Sequence, residues 1–448
     1  MAAAEGGRAE PLEAEKAQEL ARAKADEVTA RNASLEAALR SVDAARALML
    51  PKLGGRVTGA YLFNPPDGIT VAAGSMGSLP LYYPTKGIVN APMPAEDLTV
   101  FEGGKPWYFK GEISFSQPIF TWGKIRSAID LAALEAEVAR VQSRGACLDA
   151  ARQANRAYYS ALLSRRSAAI LGELGEMAAQ IVRDAKSALD EGLSTREKLL
   201  SAQADAADLE ARRVEADESE RSSLVALSVL TGIEPDSVEL VSDFREALPE
   251  ISESELGGGA AETSTSVGEA RTRLSEAKRK LDYERGSGLF LPDLSLFAAF
   301  DAANQDAQAM SSSFSWNLSV GLAAKADFFD GGAARARKRE ASAKVEAAQA
   351  ALGGALGALR LEVRRAVDAA RRAEASLASA RAREAWAAEA LKAAEASAAD
   401  RMISRSELYG ARIREAGARL ATLGARYALE EAVADLERLG LAPGEAAK

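Results

Sequence analysis

The chain has 448 residues, a net charge of −9, no histidine and one cysteine. The acidic balance excludes nucleic acid as a partner, because holding phosphate needs a basic face. Without histidine there is no imidazole base or imidazole metal ligand, and Cys147 has no second cysteine to pair with. No nucleophile–base pair or ligand cluster can be assembled from the remaining residues, so neither an enzyme nor a cofactor is expected. Prolines are absent between Pro118 and Pro235 and between Pro292 and Pro443, which leaves two long stretches free for uninterrupted helix.

In chain order, residues 1–11 read as a disordered tail; MAAAEGGRAEP has no apolar h-region, so no signal peptide is visible. Residues 12–50 read as one helix, with Leu12, Ala17, Leu20, Val28, Leu35, Leu39 and Val42 among charged residues, ending at Pro51. Residues 52–63 alternate as a strand. Residues 64–106 are rich in Pro, Gly, Asn and Tyr, have no period, and read as a long surface loop. In the strand at 107–120, Trp107, Phe109, Ile113, Phe115 and Ile119 point one way, and Lys110, Glu112, Ser114 and Ser116 the other.

A helical hairpin spans 124–231, turning at Gly192, and its first arm is on the order of 100 Å long. Cys147 lies in this helical run and reads as a small buried residue. Residues 233–265 form an inter-repeat linker. A helix at 267–288 and strands at 294–300 and 314–327 follow, the last with Phe314, Trp316, Leu318, Val320 and Leu322 on one side. A second hairpin covers 333–439, turning near Met402-Ile403-Ser404, and 442–448 is a tail. The glycines at 257–259 and at 353, 354 and 357 lack phosphate-loop spacing and read as linker and as close helix packing.

The two halves are a duplication. An offset of 209 carries Phe120 to Phe329, Arg156 to Arg365, Leu199 to Leu408 and Leu230 to Leu439 without a gap. Pro51 and Pro292 differ by 241, so the first half holds 32 extra residues, which fall in the loop at 64–106. Each half supplies a helix, an antiparallel strand pair and a long helical hairpin: mainly α with β. Strands of about 10 residues suit a tilted bilayer crossing. Four of them cannot close a barrel, and an open edge in lipid leaves backbone groups unpaired. Three copies would supply 12 strands. The competing architecture is a water-soluble sheet on an antiparallel coiled coil, and with it a soluble periplasmic scaffold or interaction protein without channel activity.

The chain resembles the outer membrane efflux protein family, the TolC-like trimeric ducts. The resemblance is carried by Ala45–Tyr61 (ARALMLPKLGGRVTGAY), Phe115–Ile129 (FSQPIFTWGKIRSAI), Ala157-Tyr158-Tyr159, Gly192–Gln203 (GLSTREKLLSAQ), Leu230-Thr231-Gly232 and Phe329–Gly332 (FDGG). It implies a homotrimer with a 12-stranded barrel in the outer membrane of a diderm bacterium, continuous with an α-helical periplasmic barrel. Linker 233–265 becomes its equatorial region. It further implies a periplasmic adaptor and an inner-membrane transporter as partners, with substrates leaving by efflux or type I secretion.

Carried over residue by residue, the resemblance makes Asp400, Ile403, Glu407 and Gly410 the candidate tunnel constriction. Glu407 aligns with the first of two acidic positions in the family, whereas the second falls on Gly410. The candidate adaptor-contacting tips are Gly192, Leu193, Ser194 and Thr195, and Met402, Ile403 and Ser404 at the second hairpin, where Arg401 replaces the glycine. Trp107, Tyr108, Trp122 and Trp316 lie near predicted strand ends and are candidate membrane-interface aromatics.

Overall fold

The computed structural model describes residues 10–249, 259–286, 292–304, 314–326 and 329–441. The chain divides into two compact units, one made of residues 1–40, 133–277 and 344–448, the other of 41–132 and 278–343.

The first unit is helical. Its two longest helices are α3 (Lys124–Asp190) and α7 (Ala333–Ala399), each of 67 residues, though their first turns belong to the other unit. Both ends of the pair obey the 209-residue offset. The return arms are α4 (Arg196–Thr231) and α8 (Arg405–Arg438). Neither long helix has a strong amphipathic stripe, so stability comes from neighbours along its length. Against α3, α4 places Ser219 on Ser164 (3.0 Å) and Glu220 on Arg165 (2.7 Å). On the other side α8 pairs Asp435 with Arg152 (2.5 Å), Glu431 with Arg156 (2.9 Å) and Arg419 with Glu173 (3.1 Å). Glu395 of α7 meets Arg412 of α8 at 3.3 Å. These contacts give the order α4-α3-α8-α7.

Shorter helices cover the ends of the hairpins. α1 (Ala14–Lys24) and α2 (Asp26–Ala47) pack Ala17, Ala21 and Val28, with Leu12 just ahead of them, against Ala150, Ala154, Tyr158 and Leu162 of α3. In the second half, α5 (Gly259–Thr263) and α6 (Thr265–Gly286) bring Ala260, Ala261 and Val267 to Leu359, Val363, Val367 and Leu429. The expected single helix over 12–50 is therefore two helices ending at Ala47. It breaks at Ala25, whose ψ of 135° is extended although its N–H still reaches the Ala21 carbonyl. Cys147 is half-buried beside this core, not fully buried, with its Sγ 3.8 Å from the Arg22 carbonyl.

The tail and the linker need correcting too. Residues 1–9, 250–258 and 442–448 lie outside the described residues, but Glu10–Leu12 is a strand, β1, pairing in parallel with β8 (Val238–Leu240). The two-stranded ladder is held by Tyr158, wholly buried on α3. Its hydroxyl donates to the Leu12 carbonyl (2.9 Å) and accepts from the Ser242 N–H (2.8 Å). Beyond it, the buried Glu430 carboxylate accepts from the Arg245 N–H and pairs with the Arg245 guanidinium.

The second unit holds a four-stranded antiparallel sheet in the order β10-β9-β7-β2. Its strands are β2 (Lys52–Tyr61), β7 (Trp107–Phe120), β9 (Asp293–Ala303) and β10 (Ser315–Lys325). β9 runs three residues past the expected Phe300, because it has a partner on both sides: Asp301 faces Glu112 and Asn317. Residues 287–291, 305–313 and 327–328 lie outside the described set.

The expected loop at 64–106 is partly strand. β3 (Ile69–Val71) pairs with β6 (Leu98–Phe101), and between them β4 (Ser78–Tyr83) pairs with β5 (Gly87–Pro92). The hidden signal is physical. Strands of three to six residues interrupted by Pro80 and Pro92 show no usable period.

Candidate functional site

Two surfaces carry the chemistry, one in each unit. In the sheet, cross-strand partners share a face, so the register sorts every side chain. Leu53 faces Phe115, which faces Ala298, which faces Val320. Continuing the alternation, one face holds Leu53, Val57, Tyr61, Trp107, Phe109, Ile113, Phe115, Phe300, Trp316, Leu318, Val320 and Leu322. The other holds Lys52, Arg56, Lys110, Glu112, Ser114, Ser116, Asp301, Ser315, Asn317 and Ser319. The apolar face is uncovered: Val57 is 85% exposed and Leu322 71%. A sheet in water buries its apolar side; this one displays it.

Among the described residues both outer strands of this sheet, β2 and β10, have an unpaired edge. The central pairing, β7 with β9, joins the two repeats and was not anticipated from the sequence. It contains one irregularity, where Pro118 lacks the N–H a ladder needs and Ile119 bulges out between Pro118 and Phe120. At the far end Asn304 extends the ladder with its side chain, donating to the Trp107 carbonyl (2.7 Å) and accepting from the Phe109 N–H (2.8 Å).

Aromatics gather at both ends of the strands. Trp107 packs edge-on to Tyr61 with ring centres 5.0 Å apart, and Trp316 lies 6.3 Å from Phe300. At the opposite end Trp122 packs edge-on against Phe120 (4.5 Å) and its indole N–H donates to the Pro292 carbonyl (3.0 Å). Tyr108 departs from the expected group. Strand alternation turns it to the face of Lys110, away from Trp107 and Trp316.

The strand-to-helix joints repeat. Trp122 and Gly123 have φ of 52° and 80°; their counterparts Gly331 and Gly332 have 69° and 90°. Two successive left-handed residues stand just ahead of each long helix and turn the chain into it. Asp330 secures the second joint by accepting from the N–H groups of Gly332 (3.1 Å) and Ala334 (2.6 Å).

The hairpin tips repeat in the same way. Leu193 N–H bonds the Ala188 carbonyl (2.7 Å) and Gly192 N–H the Leu189 carbonyl (3.0 Å), a Schellman turn around Gly192 at φ 75°. Met402 N–H bonds Ser397 (2.8 Å) and Arg401 N–H bonds Ala398 (3.1 Å), with Arg401 at φ 57°. The glycine is replaced but the turn survives. Leu193 and Met402 end up in equivalent places, 78% and 77% exposed.

The caps that follow differ. Thr195 accepts from Lys198 N–H at 3.4 Å, a weak cap. Ser404 forms a full capping box: its Oγ accepts from the Glu407 N–H (3.3 Å), and the Glu407 carboxylate accepts from the Ser404 N–H (2.8 Å) and hydroxyl (3.0 Å). The Ser404 N–H first, then its hydroxyl, hold the Glu407 carboxyl below the usual carboxylate range. Ser-x-x-Glu ahead of a helix is a signature readable from the sequence alone. Of the other constriction candidates, Asp400 is exposed, Ile403 half-buried, and Gly410 lies one turn into α8. Arg405 ties the start of α8 to Asp184 of α3 at 3.5 Å.

A family model described as outer membrane efflux protein matches residues 17–233 and 257–440. The chain belongs to the outer membrane efflux protein family. Solved structures similar to this efflux protein include the Campylobacter jejuni CmeC outer membrane channel, with 18% identity, 95% of this chain and 85% of that one covered, and a TM-score of 0.71. The outer membrane protein VceC of Vibrio cholerae has 19% identity, covers 96% of each chain and gives 0.69. A membrane protein of Pseudomonas aeruginosa has 19% identity, 96% and 90% coverage and 0.71. No curated protein matches by sequence. The fold of this efflux protein is thus that of the TolC-like channels. Among the described residues no helix is long and apolar enough to cross a membrane, and no cluster of metal-ligating residues is present.

Proposed function

We propose that three copies of this chain close a 12-stranded barrel in the outer membrane. The helical hairpins then line a duct across the periplasm, and substrates enter it from an inner-membrane transporter through a periplasmic adaptor. The carrying observation is the sheet: one uncovered apolar face, one polar face, and two unpaired edges. Hydrocarbon suits the first, a water-filled lumen the second, and the β10 edge of one copy next to the β2 edge of another removes the third. Gly353, Gly354 and Gly357 support the same reading. Among the described residues a Cβ at any of them meets nothing within 4 Å, which leaves room there for a helix of a neighbouring copy.

The sequence repeats, 12–232 and 266–441, are the two quasi-equivalent parts of each wall segment, with 233–265 as the equatorial band between them. Leu193 and Met402, at the exposed apexes of the tips, are the adaptor anchors, flanked by Gly192, Ser194, Thr195, Ile403 and Ser404. Asp400 and Glu407 supply the negative charge at the constriction, one set from each copy around the axis. Trp107, Trp122 and Trp316 mark the two lipid–water boundaries.

Reconstitution into planar bilayers tests the reading. Small discrete conductances that favour cations are expected, and Glu407→Gln, which keeps the capping geometry while removing the charge, moves the reversal potential toward zero. A particle that stays monomeric and never enters lipid would refute the duct. An unchanged reversal potential would remove the charge role from Glu407 alone.

A further inference from the structure

The insertion between β2 and β7 is the part of the second unit that a barrel does not need. β3 and β6 form its stem, and β4 and β5 the terminal hairpin. Across residues 75–94 only Lys86 is charged. The register places Leu79, Leu81, Tyr83 and Val89 on one face and Pro80, Tyr82, Ile88 and Pro92 on the other. Both faces are open, Tyr82 being 74% exposed on one and Leu81 45% on the other.

A lone two-stranded hairpin is marginal in water, and exposed apolar surface of this kind marks a contact. The nature of the contact follows from the faces. A sheet against lipid has one apolar and one polar side, as the four-stranded sheet of this chain does. The hairpin has two apolar sides, so it needs a partner on each. Its place in the topology supplies them: it leaves the sheet from the end of β2 remote from the helices, and β2 is an edge strand, beside the seam with the next copy.

We propose that the β4–β5 hairpins of three copies pack face to back around the threefold axis, the Leu81 side of each against the Tyr82–Ile88 side of the next, forming a lid over the barrel mouth. The proposal rests on the trimeric reading above. Identical face-to-back contacts close into a ring when the rotation between copies is 120°. The dimensions allow it. A 12-stranded barrel is roughly 24 Å across from its strand spacing and tilt, and a six-residue strand reaches about 20 Å.

The test uses the full chain in a Cys147→Ser background carrying Leu81→Cys and Ile88→Cys together. The two positions lie on opposite faces of one hairpin and cannot bridge within a chain. Oxidation of the reconstituted protein is expected to yield covalent dimers and trimers and a lower conductance that reductant restores; either substitution alone leaves monomers on denaturing gels. Deleting residues 76–93 is expected to leave the trimer intact and raise conductance. A threefold particle whose double variant stays monomeric on denaturing gels would overturn the lid while leaving the channel standing. A particle without that axis would remove the channel reading itself. Quenching of a fluorophore on Tyr82→Cys by doxyl-labelled lipid would assign the hairpin to the bilayer and also overturn the lid.

Discussion

Replacing Ser404 by Ala removes both bonds its hydroxyl makes at the second tip, accepting from the Glu407 N–H and donating to the Glu407 carboxylate, and leaves the Ser404 N–H to that carboxylate in place. Loss of a serine N-cap costs about 1 kcal/mol, which multiplies the local opening constant about fivefold. The helix end opens locally, so the change appears in the first-turn amides of α8 and not in global melting. Native-state hydrogen exchange at Glu407 and Leu408 is the assay, with Thr195→Ala as its control. The Thr195 bond is longer, and Lys198 stands where Glu407 does, so the control effect is smaller. The Glu407 carboxyl is held below its ordinary range, so the bond it accepts from the Ser404 hydroxyl is complete above the free carboxylate pKa and fades as pH falls through the lowered value. The difference between wild type and Ser404→Ala therefore shrinks in acid. Equal effects from Ser404→Ala and Thr195→Ala, or a difference that grows in acid, would refute the reasoning.

At the same tip, Arg401→Gly relieves a left-handed residue and is expected to slow exchange at Arg401 and Met402 by a factor corresponding to about 0.5–1 kcal/mol. Gly192→Ala at the equivalent turn does the opposite by about 1 kcal/mol, read by the same exchange experiment. Tyr158→Phe leaves the Leu12 carbonyl and the Ser242 N–H without their buried partner and should destabilise the first unit by about 1–3 kcal/mol. A lowered melting temperature and faster exchange in residues 10–12 and 238–242 are the expected readouts.

The long hairpins were legible because nothing in their sequences interrupts them. Proline is absent, and the 209-residue offset predicts where α7 begins and where its partner turns. The sheet faces were legible for the same reason: strict alternation survives on β7 and β10. What escaped was non-local or too short. The pairing of Lys110 with Ala303 joins residues far apart in the chain, and no local pattern announces it. The three-residue β1 exists because Tyr158 and β8 hold it, and the break at Ala25 has neither Pro nor Gly to mark it. The capping box at Ser404 is a different kind of omission. Its signature is local and complete, and it makes Glu407 a cap as well as a charge. Tyr108 adjoins Trp107 in the chain, yet alternation alone puts the two on opposite faces.

The β7–β9 ladder also fixes an order of events. Its strands belong to different repeats, so no first-half fragment can complete the sheet, and the closure spans nearly two hundred residues. Until the second half is present, β7 has a bare edge of its own and β2 hangs from it as half of a hairpin. Closure of the four-stranded sheet therefore waits for the second half of the chain.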